Sequence, residues 1–160
     1  MQIKYEYQEL KSFIHELLDK IAIASNRPGI YKSHVAELLL MIAAHESKGT
    51  EYREQLGGGP AKGIFQIEPE THDSIWDNSD IIHEVAKSCG IRRNVDLLEN
   101  DDVYSVFMAR MYIAMDSNPC PKPPSYKNMA KYCKEYWNRT GAATWEKYND
   151  DYMAYKRGDI

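Results

Sequence analysis

Apolar residues recur at steps of three and four along almost the whole chain, and one glycine-rich tract interrupts them. That period belongs to α-helices with one buried face. Leu10, Phe13, Ile14, Leu17, Leu18 and Ile21 form such a stripe, which predicts a helix over residues 4–24. Pro28 and Gly29 break the pattern. Ser33 stands where a cap would open a second helix to about Ser47, with Val35, Leu38, Leu39, Ile42 and Ala43 on its face. From Gly49 to Glu68 the period is lost; "LGGGPAKG" reads as loop and "GIFQIE" as a short strand. Pro69 opens a short helix to Trp76. Further helices are expected over 80–88, from Asp101 or Asp102 to about Asp116, after a Ser125 cap, and from a Thr144 cap to about Tyr155. The expected architecture is mainly α. It is one domain of residues 1–160, with the N-terminal helix packed onto it and a small irregular or β insert after the second helix.

The chain of 160 residues is long enough to bury a core without staples. Its longest apolar run, Leu38 to Ala44, falls far short of the roughly 20 residues that span a bilayer, so no membrane insertion is expected. The start "MQIKYEYQEL" has no apolar segment of a secretory signal peptide. A net charge of −4 argues against nucleic acid as a partner. Residues 119–142 depart from that balance. Lys122, Lys127, Lys131, Lys134 and Arg139 stand there against Glu135 alone, as a solvated helix face or as a surface for an anionic polymer. Cys89, Cys120 and Cys133 match no zinc spacing and read as free thiols.

The chemically informative residue is Glu46. The stripe 35, 38, 39, 42, 43 reaches 46 by the same step, so a carboxylate occupies the next core-facing position. It also lies in the last turn of its helix, where the macrodipole disfavours an anion. Burial raises a carboxyl pKa, and a glutamic acid that keeps its proton near neutral pH is what a general acid must be. The bland alternatives are a surface Glu at a fraying end, or a buried one paired with Arg110, itself on an apolar stripe. His45 beside Glu46 invites a zinc reading, but a helical His-Glu-x-x-His site needs a second His at 49, which is Gly49. No metal and no cofactor are expected.

"HES", the later "GIFQIEP" and "ETHDSIW" resemble the lytic transglycosylase and goose-type lysozyme superfamily of peptidoglycan-cleaving enzymes, most closely its small single-domain forms encoded by bacteriophages. The resemblance runs from about Val35 to Tyr148 and implies a lysozyme-like fold. It implies Glu46-Ser47 at the end of the catalytic helix and Gly63-Ile64-Phe65-Gln66 as the motif lining the sugar groove. "EYWNRTGAAT" resembles a later segment that packs near the catalytic Glu, which brings in Tyr136 and Asn138. The family usually has Tyr where this chain has Trp137. The implied substrate is the β-1,4 bond between N-acetylmuramic acid and N-acetylglucosamine. Glu46 would protonate the bridging oxygen and then, as base, close a 1,6-anhydro ring. Alternatively Glu68 would act as a second carboxylate and activate water, as in a hydrolytic lysozyme. Ser47, Gly63, Phe65, Gln66, Tyr136 and Asn138 are the implied substrate-binding residues. A monomer acting on peptidoglycan glycan strands is expected, held in the host cytoplasm before lysis or carried in the virion. An inactive virion or wall-binding protein is the alternative of another class.

Overall fold

The computed structural model describes residues 3–160, and these form seven α-helices with no extended sheet. The fold is mainly α. Helix α1 covers Tyr7–Ser25, and the backbone N–H of Glu6 donates to the Glu9 carboxylate at 2.9 Å. Asn26, in the left-handed region at φ 51°, ends it.

Helix α2, Ser33–Glu46, is the centre of the molecule. Every residue from Val35 to Ala44 is buried, so the helix is apolar on all sides and other elements surround it. Ser33 is its first helical residue rather than its cap; Lys32 holds the cap position and makes no side-chain bond there. The exception to its apolar character is Glu37, 8% exposed. It accepts hydrogen bonds from the Tyr152 hydroxyl at 2.8 Å and the Tyr7 hydroxyl at 3.1 Å, and pairs with Lys11 at 3.1 Å. Burial pushes its pKa up, but the bonds from Tyr152, Lys11 and Tyr7 outweigh that and hold it below the usual carboxylate range.

The remaining helices are α3 (Pro69–Asn78), α4 (Ile82–Cys89), α5 (Asp102–Ala114), α6 (Tyr126–Tyr132) and α7 (Trp145–Arg157). Asp101 caps α5 by accepting from the Tyr104 N–H at 3.0 Å, and Thr144 caps α7 by accepting from Lys147 at 3.2 Å. Ser125 holds the cap position of α6, but its side chain makes no cap bond. Helix α6 runs directly into a wider π-helical turn, Cys133–Trp137. Helices α1 and α7 flank α2, α5 packs against α3, and α6 packs on α7. His72 on α3 is fully buried. The Tyr104 hydroxyl accepts from Trp76 Nε1 at 3.0 Å and from the Asn94 N–H at 3.1 Å, so its own proton goes to His72 Nε2 at 2.6 Å. His72 is structural, as that arrangement leaves Nδ1 to face Asp73 at 2.9 Å.

"GIFQIE" is not a strand. Lys62 exchanges both backbone hydrogen bonds with Ile67 at 3.0 Å, and positive φ at Gly63 (83°) and Gln66 (51°) folds the segment between them into a tight turn. Buried Arg53 anchors this tract. Its guanidinium pairs with Asp102 at the start of α5, and its carbonyl accepts from the Gly63 N–H at 2.7 Å and from Gln66 Nε2 at 3.3 Å. At Gly63 a Cβ would sit 2.0 Å from the Leu98 carbonyl oxygen, a backbone atom that cannot swing aside. Gly63→Ala is therefore expected to lower the unfolding free energy by at least about 2 kcal/mol, from strained φ and overpacking together. Urea unfolding followed by far-UV circular dichroism measures it.

Candidate active site

Glu46 is the last residue of α2, and the chain turns sharply just after it. Lys48, Gly49 and Thr50 all adopt positive φ, at 54°, 67° and 72°. For a β-branched threonine this is a strained conformation that the surroundings must enforce. They do so at several points. Ser47 Oγ donates to the Ala43 carbonyl at 3.0 Å and accepts from the Thr50 N–H at 2.9 Å. Thr50 Oγ1 accepts from the Tyr5 N–H at 2.7 Å. Gly49 lies against the Tyr155 ring, where a Cβ would come within 2.5 Å. The turn takes the backbone away and leaves the Glu46 carboxyl lining a cleft of about 630 Å³.

The walls of that cleft come from two segments far apart in sequence. The tract after α2 supplies Tyr52, Leu56, Gln66 and Glu68; the π-helical turn and the loop after it supply Tyr136, Trp137, Asn138 and Arg139. A π-helical turn is a frequent mark of a functional site because it re-aims side chains that an α-helix would hold elsewhere. Trp137 Nε1 donates to the Phe65 carbonyl at 3.3 Å and so ties the two walls together. Lys134 Nζ donates to the carbonyls of Asn138 (2.9 Å) and Gly141 (2.6 Å), which shapes the loop carrying Asn138. Part of the basic stretch at 119–142 is thus structural. Lys127 and Lys131 lie over the Trp145 ring at 5.4 and 5.6 Å.

Glu46 has two donors and no ion pair among the described residues. Tyr148 on α7 donates its hydroxyl to Oε1 at 2.7 Å, and Asn138 Nδ2 approaches the same oxygen at 3.4 Å. Burial raises the pKa of Glu46; the Tyr148 bond, the neighbouring His45, the Asn138 bond and Lys48 each pull it back, and the net direction is up. Tyr148 itself is fully buried, and burial together with the negative charge of Glu46 raises its pKa, so its hydroxyl remains a donor.

Several sequence expectations need correction here. Arg110 does not pair with Glu46; it donates to the carbonyls of Ile30 (2.8 Å) and Gly29 (3.2 Å). Ser47 and Phe65 are fully buried and Gly63 is buried, so none of the three presents a surface to a ligand. Ser47 locks the helix end, Gly63 lets the turn pass under Leu98, and Phe65 backs Trp137 in an edge contact at 6.3 Å. Gln66, Glu68, Tyr136 and Asn138 do line the cleft. Tyr136 gives its hydroxyl to the Tyr112 carbonyl at 2.5 Å, not to Glu46. Glu68 is exposed. The residue that sequence reasoning missed is Tyr148. Its signal is the buried stripe Tyr148, Asp151, Tyr152 and Tyr155 on α7, which marks a core face without saying that it meets the end of α2.

No family model, no curated protein and no solved structure matches this chain. The described residues include no group of His, Cys, Asp and Glu arranged to hold a metal ion. The arrangement suits one chemical task, which is to hold a proton on a half-dry carboxyl beside a polar cleft and to release it there.

That seat has a cost. In the unfolded chain Glu46 loses its proton near the ordinary carboxyl pKa, whereas the folded protein retains it to higher pH. Stability is therefore lost as pH rises from the unfolded pKa through the raised folded one. Glu46→Gln, which keeps an acceptor for Tyr148, is expected to melt above wild type at pH 7. The gap should close near pH 4, read by differential scanning calorimetry across that range.

Proposed function

We propose that this chain is a peptidoglycan-cleaving enzyme in which Glu46 is the general acid. The observation that supports it best is a half-buried carboxyl with raised pKa, hydrogen-bonded by Tyr148, lining a groove of saccharide size. The proposal also draws on the resemblance of Glu46-Ser47 and the Gly63-to-Gln66 motif to lytic transglycosylases and goose-type lysozymes. Glu46 protonates the oxygen between N-acetylmuramic acid and N-acetylglucosamine, and the bond to the anomeric carbon breaks. The 2-acetamido group of the sugar assists at that carbon. As a carboxylate, Glu46 then removes the proton from the C6 hydroxyl of the muramic residue, which closes the 1,6-anhydro ring. Acid and base are the same group, so one carboxyl suffices.

A hydrolytic lysozyme is the second reading, because Glu68 lines the same cleft in contact with water and is a candidate to activate it. The transglycosylase scheme is preferred because Glu46 serves it as both acid and base, so no second carboxyl has to be held in place, and Glu68 is a solvated residue just before Pro69. Gln66, whose Nε2 is held by the Arg53 and Gly63 carbonyls, offers its amide oxygen to the sugar substituents, Asn138 offers an amide group, and Tyr136 and Trp137 offer ring faces. Such an enzyme would act on the bacterial wall during phage lysis or penetration, alone and without a cofactor.

Turbidity loss of purified bacterial walls tests the assignment. Glu46→Gln is expected to slow clearing by roughly 10²–10⁴-fold while remaining folded. Clearing at the wild-type rate by the folded variant would sink the reading, and wall binding without release of soluble fragments would favour an inactive binding protein. Mass spectrometry of the products separates the two chemistries. Anhydro ends lighter by one water are expected, with Glu68→Gln nearly as active as wild type; reducing ends that require Glu68 would mean a hydrolase.

A further inference from the structure

Asp151 has no part in the scheme above, yet it is one of the few buried acids, 6% exposed. It sits on α7 about one turn after Tyr148. Its Oδ2 accepts from His45 Nδ1 at 2.8 Å and from Lys48 Nζ at 3.1 Å, and its Oδ1 accepts from Lys147 Nζ at 2.8 Å. His45 and Lys48 stand on either side of Glu46 in the chain. One carboxylate on α7 thus grips both flanks of the acid at the end of α2. The His45 ring lies against the Tyr148 ring with centroids 4.0 Å apart, and Tyr148 in turn donates to Glu46. The contacts close on themselves: Glu46, Tyr148, His45, Asp151, and back through Lys48.

Ion pairs on protein surfaces are exposed and geometrically loose, and they contribute little. This one differs, because the carboxylate is buried and its two oxygens take three charged or chargeable donors from two elements. Burial pushes the pKa of Asp151 up, but the bonds from His45, Lys147 and Lys48 bring it down to about 2, so it stays an anion throughout the working range. An imidazole whose Nδ1 is held by a carboxylate has a fixed ring plane. That plane is the surface on which Tyr148 rests.

We propose that Asp151 is a positioning residue for Glu46, orienting the Tyr148 ring through His45 and holding the turn after α2 through Lys48, so that the tyrosine hydroxyl stays on Oε1. This rests on the reading of Glu46 as the acid and names what keeps it in register. The titratable groups that face Glu46 are His45 and Lys48 from its own segment, Tyr148 from α7 and the buried Cys133 from the π-helical turn. Those on Asp151 are His45, Lys48 and Lys147.

The test is the titration of the Glu46 carboxyl in the full chain, followed by carbon-13 NMR of labelled glutamate. Wild type, Tyr148→Phe, Asp151→Asn and the double variant are compared, with Glu46→Gln to assign the signal. Tyr148→Phe removes a donor that favours the carboxylate, so the Glu46 midpoint moves to higher pH. Asp151→Asn is expected to move it the same way, and to move it no further in the Tyr148→Phe background. A long-range charge effect has the opposite sign, since removing a negative charge makes ionisation of Glu46 easier. An unchanged or lowered midpoint in Asp151→Asn, or a shift undiminished in the double variant, overturns the proposal. Where Asp151→Asn fails to fold, His45→Gln carries the same comparison, because it removes the ring on which Tyr148 rests. Wall clearing by Asp151→Asn is expected to fall by about tenfold or more, with its alkaline limb displaced to higher pH. Full clearing by Glu46→Gln would end the enzymatic reading but leave the titration result to decide the role of Asp151.

Discussion

A helix that is apolar on every side has to end somewhere, and in this protein it ends in a carboxyl. Burial of α2 from Val35 to Ala44 draws α1 and α7 around it, and that packing dries the last turn. Glu46 inherits an environment made by its neighbours' need to leave water. Glu37, earlier on the same helix, shows the contrast. It is the more deeply buried of the two, but Lys11 and two tyrosine hydroxyls hold it as an anion, and its pKa falls. Glu46 receives one good hydroxyl bond, a long amide contact and, among the described residues, no salt bridge, and its pKa rises. Two glutamates on one helix are driven in opposite directions by the number and charge of their donors.

The cleft depends on backbone that is irregular for identifiable reasons. The run of positive φ at Lys48, Gly49 and Thr50 ends α2 abruptly, and it is held by Tyr5 from one end of the domain and Tyr155 from the other. Tyr155 itself donates to the Tyr5 carbonyl at 2.6 Å. The segment before the first helix and the last helix thus converge on the turn that follows the acid. On the opposite wall the π-helical turn brings Trp137 and Asn138 to the groove, and the lysine three residues after Lys131 fastens the loop beyond it. Both walls are irregular, and regular helices brace both of them.

Most of the helices were legible because their apolar residues keep the 3.6 period, and Asp101 and Thr144 cap where their types imply. The turn at Gly63 to Gln66 was not, because the short apolar run in "GIFQIE" reads as a strand and only the left-handed backbone at Gly63 and Gln66 reveals a turn. The position of Glu46 on the core stripe was readable from spacing alone. Its partner was not: Tyr148 lies 102 residues away, and nothing local says which neighbour a buried tyrosine stripe will meet. The partner of Arg110 was hidden for the same reason. Its stripe position shows that it is covered, while its actual partners, the carbonyls of Gly29 and Ile30, are backbone groups without a sequence signature. The π-helical turn was also invisible, since it continues the apolar pattern of α6 and alters only how the side chains are aimed.

The chain has three tryptophans, and their placements differ in a useful way. Trp76 is buried in the core against Phe107, and Trp145 is covered by two lysines at the start of α7. Trp137 alone among them lines the groove, with its indole N–H fastened to the Phe65 carbonyl. A molecule settling into the groove would change the polarity around one indole and leave the other two apart from it. Trp137 therefore stands where an intrinsic optical reporter of occupancy would have to stand, and its emission would follow filling of the groove without any added label.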